Sequence, residues 1–261
     1  MRYTTPAGTI NALYQSILTQ PHTLIAGSTG SGKSVIINGL IYTALCNPPG
    51  DQGGGVWLIL CDPKRVELTR YSRLPHTIEH ARDISAILSA LNHAAQIMES
   101  RFKDMDARGL VETDRGHIYV IVDEYADLML NCSKHQIKVI QHIAELGRAA
   151  HVHLILATQA PNRQVITANI AVNMTCKVAL RCDSQIESRQ IIGVKGAEDL
   201  PQYGDCLLKA PSQGITHYTG VKMYTQEELS ERVQWWTAQQ PPRMSTPSPP
   251  PKRGFFHRRP A

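Results

Sequence analysis

The chain has 261 residues, 42% of them hydrophobic, a formal net charge of +5 and six cysteines. That length buries a substantial core without disulfide or metal staples, and no run approaches the roughly 20 apolar residues of a membrane span. The cysteines (Cys46, Cys61, Cys132, Cys176, Cys182, Cys206) form no CxxC pair and no metal-ligand spacing, so they read as reduced, mostly buried thiols of a soluble cytoplasmic protein.

In chain order, residues 1–20 read as an N-terminal extension without a signal-peptide core. HTLIAG (22–27) is a short apolar strand ending at glycine, and SVIINGLIYTAL (34–45) is the helix after it. VWLILCD (56–62) is a second strand. From Ile84 to Phe102 apolar residues recur at steps of three and four, the spacing of a long amphipathic helix. IYVIVDE (118–124) is a third strand, HQIKVIQHIAELGRAA (135–150) a helix, HLILATQ (153–159) a fourth strand and CKVALRC (176–182) a fifth. Strands alternating with helices imply βαβ units and a mostly parallel sheet, and unbroken apolar strands imply helices on both faces. GDCLLKA and GITHYTGVKMY predict a terminal hairpin; residues 225–239 predict a closing helix, with Thr225 and Glu228 spaced as a capping box. Residues 240–261 are proline-rich and contain Arg243, Lys252, Arg253, Arg258 and Arg259 with no acid, so they carry the whole excess charge. They read as a disordered basic tail.

Between the first strand and first helix stands GSTGSGKS, which fits GxxxxGK[ST] in full. Gly27, Ser28, Thr29, Gly30, Ser31 and Gly32 turn backbone N–H groups toward an anion, and the helix N-terminus through Val35 adds its positive end. Lys33 is placed for the β and γ phosphates of ATP, Ser34 for Mg²⁺. The third strand delivers Asp123 and Glu124 to the carboxyl edge of the sheet, where ligands of open α/β folds bind. Asp123 is the candidate Mg²⁺ ligand, and Glu124 the candidate general base for an attacking water. If the fourth strand lies beside the P-loop strand, Thr158 and Gln159 meet the γ phosphate.

These residues resemble the motor domain of the FtsK/SpoIIIE family of DNA translocases. The likeness runs from about Pro21 to Leu208 through PHTLIAGSTGSGKSVIINGLI, LILCDPKRVELTRYSRLPH, MESRFKDM, IYVIVDEYADLML, RAAHVHLILATQAPNRQVITANI, ESRQIIG and GAEDLPQYGDCLL. It implies a RecA-like P-loop NTPase at residues 21–224. It also implies a bacterial cytoplasmic ATPase that assembles as a ring, commonly a hexamer, and moves double-stranded DNA. Arg148 falls where related ring motors carry an arginine finger acting on a neighbour's nucleotide, and Asp62 and Lys64 of the DPK match look like supports of the nucleotide site. The family usually has basic residues at three channel positions that are here Ala160, Ala171 and Gln185. Arg189 remains of that set, with Arg163, Lys177, Arg181 and Lys195 as further DNA-contact candidates. The chain has no membrane segment of its own, and a mobile-element motor fits its compactness. The thinned channel leaves two other readings: an ATPase of a protein-secretion apparatus, and a nucleotide-dependent interaction protein.

Overall fold

The computed structural model describes residues 10–51, 54–211, 213–222 and 224–239. The tail at 240–261 lies outside them. Its sheet has eight strands in the order β3-β2-β4-β5-β1-β6-β7-β8. They are β1 His22–Ala26, β2 Val56–Cys61, β3 Thr77–Ala81, β4 His117–Val122, β5 Val152–Thr158, β6 Cys176–Ala179, β7 Asp205–Ala210 and β8 Gly214–Thr219. The first six in that order run parallel, and the β7–β8 hairpin continues the sheet antiparallel from β6. This is a RecA-like P-loop sheet, mostly parallel, flanked by helices and closed by a hairpin and helix.

Alternate residues of each strand face opposite layers. Ile25, Leu58, Ile121, Ile155 and Val178 point into a core with α1 (Ile10–Leu18), α2 (Lys33–Ala44) and α8 (Gln226–Thr237). Leu24, Ile59, Val120 and Leu154 face the other way, toward α3 (Ile84–Arg108) and α5 (Lys134–Leu146). Each such aliphatic side chain contributes about 1.5–3 kcal/mol on burial, which is why these strands read as unbroken apolar runs. Helices α1 and α2 pack closely because position 39 is glycine: a Cβ there would lie 2.3 Å from the Tyr14 ring. The Tyr14 hydroxyl donates to the Val221 carbonyl at 2.6 Å, which ties the first helix to the segment before α8.

Helix ends follow local chemistry. The Asp83 side chain caps α3 by accepting from Ala86 N–H at 2.9 Å, and Gly109, at φ 65°, ends it. Capping boxes start α5 (Ser133, Gln136) and α8 (Thr225, Glu228), the latter as its spacing predicts.

The apolar pattern predicts five parallel strands; the sheet has six. Thr77–Ala81 (TIEHA) is an edge strand, half-buried over most of its length, and it carries polar residues at three of its positions. The short helices α4 (Tyr125–Asn131), α6 (Ala168–Asn173) and α7 (Gln185–Ile192) are likewise absent from that pattern. All six cysteines are free; Cys46 is exposed, Cys132 half-buried and the other four buried.

Candidate functional site

The carboxyl ends of β1, β4 and β5 meet where the chain leaves β1 for strands on one side and later returns to β6 on the other, the crevice that open α/β sheets offer a ligand. The loop 27–32 leaves β1 there. Gly27 is locked in: a Cβ would stand 2.7 Å from Leu180 Cβ and 2.9 Å from the Arg181 carbonyl oxygen. Ser28 N–H donates to that same carbonyl at 2.8 Å. Gly30 and Gly32 have φ of 76° and 103°, a region L side chains rarely adopt. Gly32 is the N-cap of α2 and offers no capping side chain, so the first N–H groups of α2 remain available to an anion.

Lys33 is buried at the start of α2, with its ammonium 3.6 Å from Glu124 Oε2. Lys64, from the loop after β2, reaches the same oxygen at 3.1 Å. The other carboxylate oxygen accepts from Thr158 Oγ1 at 3.0 Å and from Gln159 N–H at 3.1 Å. Burial alone would raise the Glu124 pKa; Lys33, the Gln159 N–H and Lys64 outweigh it and hold the carboxyl below its ordinary value. Burial lowers the Lys33 pKa, against the opposing pull of Glu124 and Asp123. Burial raises Asp123 to about 6 against the opposing effect of Lys33.

Asp123 Oδ1 is buried and has no hydrogen-bond partner in the structure. Among the described residues no group of three or more His, Cys, Asp or Glu could hold a metal ion. One orphaned carboxylate oxygen beside the P-loop lysine still suits Mg²⁺, which binds proteins through one or two carboxylates and takes phosphate oxygens and waters for the rest. Asp62 is fully buried; its Oδ2 accepts from Leu68 N–H at 3.0 Å and so braces the loop that carries Lys64.

The strand β5 does lie beside β1, in the register Ala26 opposite Thr158. Gln159 therefore overhangs the P-loop, and its Oε1 accepts from Thr29 Oγ1 at 2.7 Å. Asp183, after β6, accepts from Ser28 Oγ at 2.7 Å. No motif marks Asp183; its place depends on β6 lying next to β1, which the apolar runs do not reveal.

Arg148 is not brought to this site. The segment HQIKVIQHIAELGRAA predicts a helix through Arg148, but α5 ends at Leu146 and Arg148 sits exposed in the turn beyond it, at the amino end of β5. Arg163, Arg181, Arg189 and Lys195 are exposed, whereas Lys177 is half-buried in β6 opposite Lys209, and burial together with that neighbour lowers its pKa.

A model of the FtsK/SpoIIIE family matches residues 6–117 and 109–163. The chain belongs to the FtsK/SpoIIIE family. It is 35% identical over 243 residues to the DNA translocase FtsK of Staphylococcus epidermidis, covering 84% of this chain and 30% of that protein. It is 34% identical over 237 residues to the DNA translocase SftA of Bacillus subtilis, covering 85% and 25%. The chain thus spans under a third of the length of these relatives. Among solved structures it resembles the pCW3 conjugation coupling protein TcpA, with a TM-score of 0.72 at 21% identity over 84% of this chain and 65% of that one. It also resembles the cytoplasmic domain of the Thermomonospora curvata type VII secretion ATPase EccC, with a TM-score of 0.68 at 20% identity over 85% and 28%. These two likenesses concern the fold. No helix among the described residues is long and apolar enough to cross a membrane.

Proposed function

We propose that this chain is an ATP-hydrolysing motor subunit that works as a ring, commonly a hexamer in this family, and moves double-stranded DNA. The observation that carries the reading is the position of Glu124, held by Lys33 and Lys64 on one oxygen and by Thr158 and Gln159 on the other, directly beside the P-loop. A protein that only bound nucleotide would not need a second carboxylate after Asp123.

In this reading the loop N–H groups and Lys33 bind the ATP phosphates. Ser34 and Asp123 hold Mg²⁺, which would neutralise phosphate charge when bound. Glu124 orients the attacking water and takes its proton. Gln159, bonded to Thr29 of the P-loop, reports the γ phosphate to the segment after β5. Arg148 serves the nucleotide of an adjacent copy. The exposed Arg163, Arg181, Arg189 and Lys195 are candidates for DNA phosphates, and Lys177, half-buried in β6, is the weakest of that set. The relatives are named DNA translocases, and the family match spans the P-loop, the acidic pair and β5.

A second reading, protein export, has one observation in its favour. Ala160 and Ala171, where the family resemblance implies basic side chains, are uncharged and pack against the α3–α5 core. The ATPase rate with and without duplex DNA separates the two. Stimulation that weakens as salt rises supports a DNA motor; its absence at low salt, across several duplex lengths, would favour export.

A further inference from the structure

Helix α8 leaves an aromatic groove on the face of the molecule away from α3 and α5. Leu229 is fully buried, and Trp236 donates its indole N–H to the Leu45 carbonyl at 2.9 Å, so the helix is anchored from below. Trp235 is not: it is 57% exposed, with its ring 4.7 Å from that of Trp236. Across the groove the Arg232 guanidinium lies 3.8 Å over the Tyr42 ring and donates to the Tyr42 carbonyl and to Cys46 Sγ. Its charge is thus engaged with α2. The groove is an open depression of about 660 Å³, and Glu231 and Glu228 line it one and two turns back from Trp235 along α8. An exposed tryptophan beside a second aromatic wall, with carboxylates at one end, is the pattern that takes a polyproline segment with a basic terminus.

We propose that this groove is a docking site for a proline-rich basic segment, and that its occupant is the chain's own stretch Pro247–Arg253, PSPPPKR. Charge and length both favour this occupant. Residues 240–261 have five basic side chains and no acid, and two glutamates line the groove on the amino-terminal side of Trp235. From Trp235 back to Glu228 is about 10 Å along the helix. A polyproline run from Pro249 to Arg253 covers about 12 Å. Ala238 and Gln239 close the last turn of α8, and seven residues, 240–246, reach up to about 24 Å when extended, enough to reverse direction after the helix. Laid antiparallel to α8, the prolines meet Trp235 and Tyr42, while Lys252 and Arg253 arrive at Glu228 and Glu231.

Cys46 is exposed and lines the groove, which supplies a probe in the full chain. Ser248→Cys, which keeps every proline, is treated with a mild disulfide oxidant and compared with Ala261→Cys, each repeated in a Cys46→Ser background. Tether length alone favours position 248 over 261 by about threefold. Docking predicts an intrachain disulfide to Cys46 at least about tenfold faster, slowed severalfold by Trp235→Ala, by Glu231→Lys and by added salt. Rates within the tether factor and indifferent to Trp235→Ala would overturn the proposal. An interchain disulfide would also overturn it, by making a second copy the occupant.

Discussion

Glu124 is held on both carboxylate oxygens, because four donors from three segments converge on them. Glu124→Gln removes the base but keeps an acceptor for Thr158 and Gln159, so the fold and the nucleotide site should survive. The expected outcome is hydrolysis slowed about 10²–10⁴-fold with ATP still bound, seen by single-turnover hydrolysis beside equilibrium nucleotide binding. Lys33→Ala should instead lose binding itself. Persistence of the wild-type hydrolysis rate in Glu124→Gln would remove this residue from the chemistry. Gly27 offers a test of the loop rather than of the reaction. Its added methyl would press on Leu180 and on the carbonyl that accepts from Ser28. Gly27→Ala should therefore weaken nucleotide binding and lower the thermal midpoint together, by about 1–3 kcal/mol of overpacking. Gly30→Ala meets no atom within 4 Å and strains only its own φ of 76°.

At the scale of elements, three central strands carry histidines at their amino ends: His22 on β1, His117 on β4 and His153 on β5. Burial lowers their pKa values to about 4, about 4 and about 3, with neighbouring histidines adding to the effect on His117 and His153 and Arg101 adding to it on His117. His117 and His153 share a ring-nitrogen hydrogen bond at 2.9 Å, and His153 also contacts the Pro21 carbonyl. The sign follows from these depressed values. Above the ordinary imidazole value of about 6.5 both states are neutral. Below it the unfolded chain takes up protons that the folded chain refuses, so stability is lost as pH falls from about 6.5 toward 4. For the buried His22 and His153 this costs on the order of a few kcal/mol each, and the half-buried His117 adds less. Asp123, raised to about 6, works in the opposite direction, but it is one group against three. Urea unfolding between pH 7 and 4.5 should show this slope, and His153→Gln should flatten it whatever it does to stability at pH 7. What the sequence discloses at this scale depends on range. The P-loop, the acidic pair and the α8 capping box are each contained in a few residues, so they are legible. Thr77–Ala81 is hidden because a half-buried edge strand needs no apolar run. The Lys64–Glu124 contact depends on β2 lying beside β4, and the Ser28–Asp183 contact on β6 lying beside β1. Neither adjacency is written in any local pattern.

For the whole molecule, Arg148 and Lys33 lie at opposite ends of the parallel strands. Arg148 precedes β5, which begins at Val152, and Glu124 bonds to Thr158 at its other end. Seven residues of strand separate the two edges, a distance of roughly 20 Å. Arg148 cannot reach its own nucleotide site across that span; any catalytic role must be toward another copy. Beside it a cavity of about 410 Å³, lined also by His117, His151 and Glu112, gives this edge a concave surface. A head-to-tail ring apposes two different faces of each subunit, and here those faces would be the P-loop edge and the Arg148 edge. Arg148→Ala and Lys33→Ala should each be inactive alone. In a one-to-one mixture, about one interface in four joins an intact P-loop to an intact Arg148 from its neighbour. The mixture should then recover about a quarter of the wild-type ATPase rate. A double variant, Lys33→Ala with Arg148→Ala, mixed with either single variant contains no such interface and should recover nothing. If the first mixture shows only the sum of its residual rates, Arg148 has no role in trans.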